Sequence, residues 1–108
     1  AHHDIDAVFC GNDAMAMGAY QAILAAGKEG EIKVFGFDGA DDCVNAIREG
    51  KIEATGMQFP KTMAVTAATL ADKYIKGERN LPKKLPVAVE LVNKANVMNY
   101  GNFGRTDQ

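Results

Sequence analysis

No tryptophan occurs in the 108 residues, only two cysteines and three prolines do, and no long hydrophobic run does. Without about 18 consecutive apolar residues, no stretch reads as a membrane span, and no signal peptide opens the sequence. Basic blocks are missing as well. Twelve Lys and Arg face fourteen Asp and Glu for a net charge of -2, and Lys51, Lys83 and Lys84 stand scattered. No electrostatic footprint for nucleic acid or an anionic membrane results, so neither is expected as a partner. Clustered Cys and His, which zinc would want, are absent. No Ser or Cys is paired with a His, since His2 and His3 lie at a free end, and no glycine-rich loop with Lys could cradle phosphate. No catalytic residue, metal or cofactor is therefore expected. Cys10 closes an apolar strand and Cys43 opens a helix, which suits small buried hydrophobes that stay reduced. A disulfide in an oxidising compartment is the alternative, and spacing alone does not decide it.

The hydrophobic share is 47% and the charged share 24%, those of a soluble globular protein large enough to bury a core as one domain at most. The chain is organised around residues 32–42, IKVFGFDGADD. Ile32, Val34, Phe35 and Phe37 favour a buried strand, and Gly36 and Gly39 bracket Phe37-Asp38 so that the backbone can turn. Asp41 or Asp42 then caps a helix over 41–49 whose Cys43, Ala46 and Ile47 share one face. Asp38 thus closes a strand of the kind whose carboxyl end binds ligands in open α/β sheets.

The neighbouring stretches repeat this arrangement. Residues 5–10 read as a strand, Gly11-Asn12-Asp13 as turn and cap, and 14–26 as a helix closed by Gly27. That helix is mostly Ala and Met, so it is expected to be buried on most sides, with Met15 and Met17 as core filler. Residues 52–58 alternate as a strand that Phe59-Pro60 halts. Residues 61–76 form the longest helix, with Met63, Ala67, Leu70, Ala71 and Tyr74 in one stripe. Pro82 and Pro86 mark a linker-like loop, 87–92 a last strand, and the Gly- and Asn-rich residues 96–108 are expected to fray. The order β-α-β-α-β-α-β predicts an α/β fold, a parallel sheet with flanking helices joined by right-handed crossovers.

Parallel strands bring their carboxyl ends to one edge, so Asn12, Phe37, Asp38 and Gln58 converge there. A carboxylate can accept from neighbouring hydroxyls, an amide both donates and accepts, and an aromatic face covers the C–H side of a sugar. The set suits a monosaccharide or polyol. The plainer alternative has Asn12 and Asp13 as helix caps and Asp38 as a turn residue.

Residues 7–28 (AVFCGNDAMAMGAYQAILAAGK), 32–60 (IKVFGFDGADDCVNAIREGKIEATGMQFP) and 86–92 (PVAVELV) closely resemble the type I periplasmic sugar-binding proteins, the solute receptors of bacterial ABC importers. The ribose-binding proteins are the nearest sort. The resemblance implies that Asn12, Phe37, Asp38 and Gln58 contact a sugar, and that the partners include an ABC importer permease. Cys10-Gly11 departs from the family, which often has Ala-Gln or Ala-Asn before the Asn-Asp. The resemblance also implies a piece of a longer receptor, periplasmic or extracytoplasmic, as the abrupt start on His2-His3 suggests. Residues 1–60 would be part of the C-terminal sugar-binding lobe. Residues 61–77 would be a helix that normally packs on the N-terminal lobe, 78–97 a linker and returning strand, and 98–108 a tail. The missing lobe or a second copy of the chain would then cover the helix. The effector domain of a LacI-type transcription regulator is the alternative. A phosphatase with Asp38 as nucleophile would want Asp-x-Asp, which Asp38-Gly39-Ala40 does not supply.

Overall fold

The computed structural model describes residues 2–107; residues 1 and 108, the outermost positions of the expected lobe and tail, lie outside the described residues. A four-stranded sheet of order β1-β2-β3-β4 forms the centre, from β1 (Ala7–Phe9), β2 (Lys33–Asp38), β3 (Ala54–Met57) and β4 (Glu90–Asn93). The crossover helices are α1 (Asp13–Ala25) and α2 (Asp41–Arg48), and α3 (Pro60–Ile75) leads away from β3. Pro60 begins α3 at a position where its missing N–H costs nothing.

The first three strands are parallel, with Phe9 beside Phe35 and Asp38 beside Met57. The last strand corrects the expectation of a wholly parallel sheet. β4 pairs antiparallel with β3, Met57 beside Glu90, because α3 and its return loop leave and re-enter at the same edge. A segment that never crosses the sheet face can only return antiparallel. Pairing begins at Glu90, so Val87, Ala88 and Val89 of the expected strand precede it.

Successive right-handed crossovers step in one direction, which places α1 and α2 on the same face. Between them and the sheet, Val34, Cys43, Val44, Ile47, Met57 and Val92 are buried. The alternating residues look the other way. There Phe9 is 76% and Leu91 62% exposed, with Phe35 and Phe37 half-buried in the same face. One side of the sheet is thus apolar and uncovered.

Two further expectations are corrected, the all-round burial of α1 and the fraying of the tail. In α1 only Asp13, Ala16 and Ile23 are buried, and Met15 is 57% exposed, while Met17 packs half-buried against the core. The sheet and α2 border α1 on one side only; its Ala and Met satisfy helix propensity rather than all-round burial. In α3 no residue is buried at all. Of its stripe, Met63 and Leu70 are half-buried beside a groove that Pro82 and Leu85 also line, and Ala67, Ala71 and Tyr74 are exposed. The radius of gyration is 17.6 Å, against about 13 Å for a compact domain of this size. The helix stands out from the body.

Among the described residues the tail is not frayed. A 3-10 turn at Val97–Asn99 leads into a hairpin, β5 (Tyr100–Gly101) with β6 (Gly104–Arg105). Val97 and Tyr100 are buried against α2, the Arg48 guanidinium donates to the Tyr100 carbonyl, and the Asn102 N–H donates to Asp41. Arg105 bridges Glu90 at 3.1 Å and Asp107 at 2.7 Å. Polar composition pointed to disorder, but Val97 and Tyr100 bury, though Met98 and Phe103 do not, and Asn102 and Arg105 find partners on α2 and β4.

Candidate functional site

The carboxyl edge of β1, β2 and β3 is where the candidate residues stand. Asn12 follows β1 and caps α1, its Oδ1 accepting from the Met15 N–H at 2.8 Å. Asp38 ends β2 with a backbone φ of 135°, a left-handed value that a residue with a Cβ rarely adopts. Gln58 follows β3 and holds Asp38 twice. Its backbone N–H donates to the Asp38 carbonyl at 2.8 Å, and its Nε2 donates to Asp38 Oδ1 at 2.7 Å. All three side chains are half-buried. Among the described residues, Asp38 Oδ2, Gln58 Oε1 and Asn12 Nδ2 have no hydrogen-bond partner, leaving two acceptors and a donor on the edge.

Phe37 is placed differently from its neighbour. Its ring lies across Gly56, where an added Cβ would stand 2.7 Å from Cδ2. Gly36 points at α1, so Phe37, one residue on, belongs to the uncovered face. The structure therefore brings Asp38 and Gln58 into direct contact, sets Asn12 at the end of the adjacent strand, and lays Phe37 on the sheet behind them.

Sequence reading gave Asp13 only a capping role beside Asn12. It is 1% exposed, and its carboxylate is the junction of the edge. Oδ2 accepts from the N–H groups of Gly39 and Ala40, each at 2.8 Å, and Oδ1 accepts from Thr55 Oγ1 at 2.6 Å. Asp41 and Asp42, expected to cap α2, do not. The N-cap is Ala40 with no side-chain cap, and Asp13 supplies the acceptor for that helix start from 27 residues upstream. Asp41 instead accepts from the tail, and Asp42 from the adjacent Cys43 N–H. A carboxylate at a helix N-terminus also meets the positive end of the helix dipole, which offsets burying a charge without a Lys or Arg. The signal for this role was Gly36. A glycine in mid-strand marks a close approach, and a Cβ there would stand 2.3 Å from Asp13 Oδ1.

Cys43 lies in the same pocket of structure. Burial first, then the charge and hydrogen bond of Asp13, push its thiol far above the ordinary value. Both cysteines are buried free thiols. No group of three or more His, Cys, Asp and Glu able to hold a metal occurs among the described residues. A cavity of about 420 Å³ opens between α3 and β4, lined by Phe59, Thr62, Val87, Glu90 and Arg105, and does not take in Asn12, Phe37, Asp38 or Gln58.

Comparison with known proteins agrees with this architecture. Residues 1–79 match the periplasmic binding protein domain. The ribose import binding protein RbsB of Salmonella typhimurium is 44% identical over 87% of this chain and 31% of its own length. The D-apiose import binding protein of Paraburkholderia graminis is 42% identical over 89% of this chain and 31% of its own. Among solved structures, an ABC transporter periplasmic solute binding protein of Actinobacillus succinogenes with bound D-allose superposes with a TM-score of 0.83 at 33% identity. It covers 89% of this chain and 34% of that one. An ABC transporter solute binding protein of Bacillus halodurans with bound myo-inositol gives 0.83 at 34% identity, covering 94% and 34%. The chain thus spans about a third of the length of these relatives. Over that third it belongs to the type I periplasmic sugar-binding proteins.

Proposed function

We propose that this chain forms one rim of the cleft of a monosaccharide or polyol receptor, which delivers its ligand to an ABC importer permease outside the cytoplasmic membrane. The observation that carries the reading is the Asp38–Gln58 pair on the carboxyl edge, with Asp38 held at φ 135° and Oδ2 left without a partner. A carboxylate held this way can accept from a sugar hydroxyl without having to be ordered first, while Asn12 offers a donor from the next strand. Phe37 would contribute as an apolar backing to the edge. The activity is binding without catalysis, as the names of the relatives also suggest. Residues 1–60 belong in this reading to the ligand-binding lobe. Helix 61–77, in which no residue is fully buried within this chain, would meet the other lobe, with 78–97 returning from it. Bound D-allose and myo-inositol in similar structures, and ribose and apiose in the names of relatives, set the ligands to try first.

A thermal-shift screen of the complete protein against D-ribose, D-allose, D-apiose and myo-inositol tests this. Ligand at a hundred times its Kd should add about 2.7 kcal/mol of stability and raise Tm by several degrees. No shift with any pentose, hexose or polyol would refute the receptor reading.

A further inference from the structure

We infer that Asp13 is a positioning residue for the ligand edge, coupling all three strand ends through one buried carboxylate. This rests on the receptor reading for what the edge binds. Adjacent residues cap two different helices: Asn12 caps α1, and Asp13 accepts from the start of α2. Asn12 is thereby tied to the peptide that follows Asp38, since Gly39 N–H is one of Asp13's donors. The third donor, Thr55, lies three residues before Gln58 on β3. Asn12 and Asp38 are therefore each one residue from a group in this clamp and Gln58 is three residues from one, although Asp13 itself is buried behind the edge.

The left-handed backbone at Asp38 needs such support. It persists only where the surroundings over-determine it, and the Gly39 N–H bond fixes the peptide plane on its far side. Gly39 itself has a φ of 90° and packs so tightly on Met57 that a Cβ would stand 2.6 Å from its side chain. The turn is thus held by packing from β3 and by hydrogen bonding from Asp13. An asparagine at position 13 can keep its one oxygen on Gly39 and Ala40 and turn its NH2 to the Thr55 hydroxyl, which also accepts, but it loses the charge that strengthens these bonds.

The test uses the complete protein with Asp13→Asn, Thr55→Val, Thr55→Ser and, as a core control, Ile47→Val. Hydrogen exchange without ligand reads the clamp directly. In Asp13→Asn the amides of Gly39 and Ala40 should exchange about tenfold faster or more, while Val34 and Ile47 keep their protection. Calorimetry with D-ribose, D-allose and myo-inositol reads the consequence. Asp13→Asn should weaken binding by about tenfold or more, Thr55→Val by less, and Thr55→Ser should restore it. Ile47→Val should lower Tm but leave affinity within about twofold, since it removes only a core methylene. Wild-type affinity in Asp13→Asn overturns the inference, as does an equal loss in Ile47→Val or unchanged exchange at Gly39 and Ala40. Should Asp13→Asn fail to fold, wild-type affinity in Thr55→Val overturns it. If the wild type binds no pentose, hexose or polyol, the receptor reading falls, and the exchange data still decide the clamp.

Discussion

Gly36→Ala is the substitution whose outcome the structure constrains most tightly. The new Cβ would stand 2.3 Å from Asp13 Oδ1 and 3.2 Å from the Ala16 Cβ. Ordinary non-bonded contacts lie near 3.5 Å, so the carboxylate would have to retreat by about an ångström. It cannot do so freely, because the same two oxygens hold Gly39, Ala40 and Thr55. Losing one hydrogen bond to a buried charge costs about 1.5–3 kcal/mol, and overpacking about 1–3 kcal/mol. The sum, roughly 2.5–6 kcal/mol, lowers Tm of the complete protein by about 5–24 °C. Circular dichroism melting of Gly36→Ala against Gly18→Ala measures it. Gly18 lies within α1 and a Cβ there meets nothing within 4 Å, so its replacement should gain about 0.5–1 kcal/mol. A Gly36→Ala protein melting within about 2 °C of wild type would refute the reasoning.

Two other predictions concern the thiols and the chain by itself. Cys10 and Cys43 should both titrate as free thiols in denaturant without reductant, and Cys43 should resist modification in the folded protein even at alkaline pH. Because the folded thiol lies above its ordinary value of 9.0, its contribution to stability is complete below that pH and declines as pH rises past it, where the unfolded thiol ionises. Two modified thiols in the native protein at pH 8 would contradict this. The 108-residue chain alone should associate at micromolar concentration, since Phe9, Leu91 and most of α3 lie exposed. Sedimentation showing a compact monomer would speak against it.

Much of this was legible because it is local. The strand into Asp38, the Cys43–Ala46–Ile47 face of α2 and the helix start at Asn12 each follow from residues within a few positions of one another. Asp13 was not legible in the same way, since its partners lie 26, 27 and 42 residues away. A buried carboxylate reads like any other cap until Gly36 and Thr55 are seen to face it. The direction of β4 was hidden for a related reason. Alternation of strand and helix implies a crossover only if the helix packs on the sheet, and α3 does not. In the tail, burial of Val97 and Tyr100 against α2 outweighed a polar composition.

Calorimetric titration of the complete protein and its Asp38→Ala variant, with the sugar that most raises Tm, tests the central claim most directly. Asp38 offers a free carboxylate oxygen, and removing it leaves a ligand hydroxyl unpaired in the cleft. That costs about 2–4 kcal/mol, so affinity should fall roughly thirtyfold to a thousandfold while the far-ultraviolet spectrum is unchanged. A folded Asp38→Ala protein that binds the same sugar with wild-type affinity would contradict the account.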